Sequence, residues 1–402
     1  MNILIKKILL FSYVFLLSIV YAKDITPNLQ EKFSPLFQEL ERDKDYPYVQ
    51  TVTYSSTPIF TTLIRELNER KWNDVYSTGF LKDYNILLRE YSEEPINVKV
   101  YLQDHKAPIL YVLPGTLTSN SAPLSLKNMK YYHDLGFHVV FFSNPWSYDV
   151  LSKRVKNMGN IEFEAKLHWA LMEEIENHMI PENIITQRKI LGKSYGALLA
   201  TIILDLSYKS QKTLDELILI SPTDSLLTGA MAVDNLIDNY RNFNLNPLIL
   251  AQILSRNMQK DFISNSETSD NAKAMIAQFV FLNNLSDVTA AALQNVEPIG
   301  RDKFNLKTFI KKYYPDSLKV ALGLKGSLDY WLTQLRKNNL LNRVKLIMSE
   351  NDPLSKPKYV KSLLQNFPEI IGAGLPGGGH NLFDRSLFNE LQAYILGLPL
   401  SF

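Results

Sequence analysis

The stretch RKILGKSYGALLATIILDLSY (188–208) changes character in its middle. Ile190 and Leu191 close a short apolar run. Gly192-Lys193-Ser194-Tyr195-Gly196 interrupts it, and an Ala/Leu/Ile-rich run without Gly or Pro follows from Ala197. The first run has the length and composition of a buried strand, the last those of a helix. A strand that passes straight into a helix leaves no room for a loop. Ser194 must then sit in a cramped turn, and glycines two residues before and two after let strand and helix approach. The turn has two readings. Ser194 is a small polar residue that fits a tight corner, or its hydroxyl is raised above the sheet as a nucleophile, close to the N–H dipoles of the helix start.

The sequence around it supplies more strands of the same kind. PILYVLPGTL (108–117) holds a continuous apolar run, Ile109 to Leu113, stopped by Pro114-Gly115. Such a run suits a parallel strand covered on both faces. FHVVFFSNP (137–145), DELILISP (215–222), NRVKLIMSEND (342–352) and PEIIGAGLPG (368–377) continue the series. YNILLREY (84–91) and INVKVYLQ (96–103) read as strands before it, the second alternating apolar and polar residues. Helical patterns fall between them, over 123–135, 161–178, 195–208 and 381–397. Alternating strands and helices predict an α/β fold with a mostly parallel central sheet flanked by helices. Residues 223–341 interrupt the alternation with helical patterns such as MAVDNLIDNYRNFN and NPLILAQILSRN. They read as a helical cap inserted between two core segments, 84–222 and 342–402. A cap there would lie over the C-terminal edge of the sheet, where such folds bind ligands. A separate helical domain is the other reading, disfavoured by the lack of a Pro/Gly/Ser-rich linker.

A serine hydroxyl needs a base to become a nucleophile, and the base needs an acid to orient it. The chain has six His, and only His380, in LPGGGHNLF, follows Ser194. Gly377-Gly378-Gly379 gives it a flexible loop off the last strand. His133 and His168 fall in helical patterns and His138 enters a buried strand, which are structural settings. For the acid, IMSENDPLSKP (347–357) offers Glu350 and Asp352; Asp352 lies further into the loop and is preferred. It also suits a turn residue making a local hydrogen bond. Asp224, in SPTDS, is a second candidate.

The order Ser, acid, His after alternating strands resembles the α/β-hydrolase superfamily, over about 84–222 and 342–397. The resemblance implies Ser194 as nucleophile, His380 as general base and then general acid, and Asp352 as the orienting acid. It implies an oxyanion hole made by the backbone N–H of Tyr195 and one from the loop after the early strand. That loop is Pro114-Gly115-Thr116 here, without the family's usual His, so Thr116 is the implied second donor. Ser349 stands where the family often has Gly before its acid. Each oxyanion donor is worth about 3 kcal/mol to the transition state of acyl transfer. The expected activity is that of a serine hydrolase, carboxylesterase- or lipase-like, acting on a small or lipid-like acyl substrate. A peptidase of the same fold is one alternative. A catalytically silent binding protein of the cell envelope is another.

The first residues, MNILIKKILLFSYVFLLSIVYAKD, have Lys6 and Lys7 before a mostly apolar run over 8–19 and small residues at Val20 and Ala22. This is the pattern of a signal peptide over 1–22, which predicts a secreted or periplasmic protein. An uncleaved anchor is the alternative, although the apolar run is short for a span. Residues 23–83 read as an N-terminal extension with a helix around TPIFTTLIRELNERKW. The chain has 402 residues and no Cys, so no disulfide is needed outside the cell. Lys and Arg total 43 against 41 Asp and Glu, and loss of Lys6 and Lys7 brings the mature chain to neutrality. Balanced charge gives no footprint for nucleic acid or anionic lipid. No His/Cys ligand spacing implies a metal, and no Gly-rich phosphate or dinucleotide pattern implies a cofactor.

Overall fold

The computed structural model describes residues 81–116, 118–231, 323–349, 352, 354–355, 359–375, 380 and 396. The leader, the extension to residue 80, most of the insertion and nearly all of the C-terminal helical pattern lie outside the described residues. Within them, eight strands form one sheet: β1 Leu81–Ile86, β2 Ile96–Tyr101, β3 Ala107–Leu113, β4 His138–Phe142, β5 Ile185–Lys193, β6 Glu216–Ile220, β7 Val344–Ser349 and β8 Ile371–Leu375. Their spatial order is β1-β2-β4-β3-β5-β6-β7-β8. β1–β2 and β2–β4 are antiparallel, and every pairing from β4 through β3 to β8 is parallel.

Five helices of eight or more residues are described: α1 Pro123–Asp134, α2 Ile161–His178, α3 Tyr195–Lys209, α4 Leu328–Lys337 and α5 Tyr359–Asn366. The apolar runs of the parallel strands divide between the two faces of the sheet. Ile109, Tyr111 and Leu113 of β3, Ile190 of β5 and Leu217 and Leu219 of β6 join the core built with α2, α3 and α4. Leu110, Val112, Leu191, Ile218 and Ile220 point the other way, towards Met129 and Tyr132 of α1. A strand covered on both faces has no reason to alternate, which is why these runs are continuous. The sheet is thus mostly parallel and flanked by helices, as the sequence predicts.

Two segments differ from expectation. The sequence predicts one strand over 84–91, but β1 runs from Leu81 to Ile86. Its register with β2, Leu81↔Tyr101 to Ile86↔Ile96, uses up the partner. The chain then turns, with Ser92 N–H donating to the Leu88 carbonyl at 2.9 Å and Lys156 N–H to the Tyr91 carbonyl at 2.9 Å. Residues 328–337, read as part of the cap, are helical but belong to the core. Leu328, Trp331, Leu332 and Leu335 form a buried stripe on α4, which packs against α3. Among the described residues, no helix is long and apolar enough to cross a membrane.

Candidate active site

The parallel register brings the ends of five strands to one edge. Leu113 pairs with Gly192, Lys193 with Ile220, Ile220 with Ile347, and Ser349 with Leu375. The chain leaves these ends at the same edge of the sheet, towards Pro114, Ser194, Ser221, Asp352 and His380.

Ser194 lies between β5 and α3 with φ 55° and ψ −122°. Few L-residues adopt this conformation, and it costs on the order of 1–3 kcal/mol. Surrounding bonds hold it. Ser194 N–H donates to the Ile220 carbonyl at 2.9 Å, and its own carbonyl accepts Ala197 N–H at 3.0 Å. Ser194 precedes the first residue of α3, yet its side chain makes no capping hydrogen bond. The tight corner is real, and capping does not occupy the hydroxyl.

The flanking glycines are required by closeness. A Cβ on Gly192 would stand 2.4 Å from the Gly196 carbonyl oxygen and 2.5 Å from Ala197 Cα. A Cβ on Gly196 would stand 2.2 Å from the Leu113 oxygen and 2.6 Å from that of Pro114. The loop after β3 also presses on the serine, because a Cβ on Gly115 would come within 3.2 Å of Ser194 Cβ and 3.7 Å of Oγ. Thr116, next in that loop, is exposed. Asn144 fastens the loop from beyond β4. Its side-chain amide donates to the Pro114 carbonyl at 3.0 Å, and its N–H donates to the Thr118 carbonyl at 2.9 Å.

Asp352 and His380 meet. His380 Nδ1 is 2.8 Å from Asp352 Oδ2 and 3.0 Å from Oδ1. Both residues are buried. Leu354 N–H donates to Asp352 Oδ1 at 2.8 Å, which fixes the carboxylate. With Nδ1 as the donor to Asp352, the ring keeps Nε2 as an acceptor on its opposite side. Asp224, the second candidate, has neighbours of its own. Asp224 Oδ1 accepts Ser225 N–H at 2.9 Å and Oδ2 accepts the Thr228 hydroxyl at 3.3 Å, at the start of a helical turn. Glu350 lies outside the described residues.

The remaining histidines have structural surroundings. His133 stacks on Tyr101 with ring centres 3.6 Å apart. His138 accepts Gln103 N–H at 3.0 Å and faces the Ile184 carbonyl at 3.2 Å. His168 lies between the carbonyls of Glu164 and Ser143, where burial lowers its pKa. His105 and His178 are solvent-facing.

Sequence reasoning missed one group beside the site. Glu164 of α2 is fully buried and accepts the Tyr195 hydroxyl, with its other oxygen 2.6 Å from Gly159 N–H. Burial pushes its pKa up to about 7, although both accepted hydrogen bonds pull the other way. Tyr195 is itself raised well above the usual phenol value, first by burial and then by Glu164, so it stays an O–H donor. A signal was present. Glu164 follows Ile161 by three residues and precedes His168 by four, on the apolar stripe of α2. Among the described residues, no cluster of His, Cys, Asp or Glu is arranged to hold a metal ion.

The strand order is that of the α/β-hydrolase fold. No protein-family model and no curated protein matches the chain. Among solved structures, a thermostable carboxyl esterase from Bacillus coagulans is 13% identical, with a TM-score of 0.42, over 80% of this chain and 98% of its own. A proline iminopeptidase-related protein from Thermus thermophilus is 15% identical, with a TM-score of 0.40, over 79% and 97%. An esterase from Pyrococcus furiosus is 12% identical, with a TM-score of 0.43, over 79% and 89%.

Proposed function

We propose that this protein is an exported serine hydrolase that cleaves an ester, or a related thioester or amide, through an acyl-enzyme on Ser194. The observation that carries the reading is the buried Asp352–His380 hydrogen bond at 2.8 Å, at the strand edge where Ser194 sits in a strained turn. Ser194 Oγ attacks the acyl carbonyl as His380 Nε2 takes its proton. Asp352 keeps the ring in the tautomer that can do so and stabilises the imidazolium. The oxyanion accepts the backbone N–H groups of Tyr195 and Thr116. Collapse expels the alcohol with a proton from His380. Water then repeats the sequence and frees the acid. Ser194, His380 and Asp352 are thus the catalytic residues. A cap of helices would suit an apolar acyl group, and the leader over 1–22 supports export to the periplasm or beyond.

The test is labelling by a fluorophosphonate probe, together with a hydrolysis profile over acyl esters of increasing length and short peptides. The wild type should label and turn over esters, and Ser194→Ala should do neither. Labelling that persists in Ser194→Ala sinks the assignment. Peptide cleavage without ester preference replaces the esterase reading with a peptidase.

A further inference from the structure

Helix α2 carries two Tyr–Glu pairs, and they differ in one respect. Near its C-terminus Glu176 accepts the Tyr111 hydroxyl and is also bonded by Arg188, whose Nε is 3.0 Å from both carboxylate oxygens. Near its N-terminus Glu164 accepts the Tyr195 hydroxyl, and its other hydrogen-bond donor among the described residues is Gly159 N–H. A buried carboxylate with no cation beside it among the described residues is costly.

Its connections lead to the site. Tyr195 opens α3, whose first turn lies against the loop after β3: a Cβ on Gly196 would stand 2.6 Å from the Pro114 oxygen. Trp146 backbone N–H donates to Asn144 Oδ1 at 2.9 Å. The Asn144 amide donates to the Pro114 carbonyl at 3.0 Å. The Glu164–Tyr195 bond therefore holds the start of α3 where it meets the loop that Asn144 fastens and that carries Thr116. These are the two backbone segments that supply the oxyanion donors in the serine-hydrolase reading. A fully bonded buried network selects one arrangement of the groups it joins.

We propose that Glu164 is a positioning residue for catalysis: through the Tyr195 hydroxyl it holds the first turn of α3 in register with the Pro114–Thr116 loop, and so sets the spacing of the two oxyanion donors. This rests on the serine-hydrolase reading.

The experiment compares Tyr195→Phe, Glu164→Gln and, as a control at the far end of the same helix, Tyr111→Phe. Tyr195→Phe keeps the ring and the backbone N–H and removes only the link, so it tests the idea even where Glu164→Gln fails to fold. Removal of a whole oxyanion donor costs roughly 100-fold or more, so a misplaced one should lower kcat about 10-fold, with KM within about twofold. The Ki of a trifluoromethyl ketone, whose adduct carries the oxyanion, should rise by the factor lost in kcat/KM. Tyr111→Phe should leave kcat unchanged. Tyr195→Phe with wild-type kcat, or an equal loss in Tyr111→Phe, overturns the proposal and leaves the serine-hydrolase reading standing. A wild type inert to fluorophosphonate overturns both.

Discussion

Glu164 makes stability depend on pH in a direction opposite to that of most carboxylates. Its pKa in the folded chain is about 7 against an ordinary 4.5, and it is fully buried. Between those values the folded state keeps a proton that the unfolded state has released. With more protons bound when folded, unfolding free energy falls as pH rises. The full stability is present below about pH 4.5 and is lost as pH climbs through about 7. A difference of about 2.5 pKa units at 1.36 kcal/mol each gives a loss on the order of 3 kcal/mol. His168 adds a slope of the opposite sign, because its lowered pKa makes stability fall as pH drops below the unfolded value of 6.5. Comparing wild type with Glu164→Gln cancels that contribution. Urea unfolding at about pH 5, 6, 7 and 8 measures the difference. The glutamine variant should gain on the wild type by about 3 kcal/mol between about pH 5 and pH 8. A difference that is flat over this range, or that falls, would show that Glu164 ionises normally in the folded chain and refute the argument.

Two further perturbations probe the turn itself. Gly196→Ala would drive a Cβ to 2.2 Å from the Leu113 oxygen, so α3 must move off β3; we expect a loss of roughly 2–4 kcal/mol by denaturant unfolding, with activity abolished. Wild-type stability in that variant would mean the elbow is looser than described. Ser194→Gly should be more stable than Ser194→Ala by about 1 kcal/mol, because glycine relieves the strain at φ 55°. Equal melting temperatures for the two variants would remove the strain argument.

How much of the fold and site was legible in the sequence depended on the range of the interaction concerned. Helix α2 has the expected bounds, Ile161–His178, because its apolar stripe and Asn160 cap are local; the Asn160 side chain accepts Phe163 N–H at 3.3 Å. The end of β3 at Leu113 is local too, set by Pro114. The end of β1 is not, because it depends on where β2 stops. Helix α4 shows the same division. Its stripe of Leu328, Trp331, Leu332 and Leu335 marks a helix, but nothing in the stripe says that it faces α3 rather than a cap. Glu164 could be seen as a charge on an apolar face, whereas its partner Tyr195 lies 31 residues away. Loop position prefers Asp352 over Glu350, with Asp224 left as a second candidate. Geometry supplies the distance.

The Ser194 turn is a short-range product of one segment, while Asp352 and His380 are brought to the same sheet edge from far along the chain. Gly192, Ser194 and Gly196 make the turn against the end of β3, where Leu113 and Pro114 press on Gly196. Asp352 and His380 depend on β6, β7 and β8 pairing in register, and β7 lies beyond the whole of the insertion that follows β6. Closing a loop of that length costs little more than closing one half as long. The sheet can therefore carry a large insertion at this point and still deliver both side chains to the same edge.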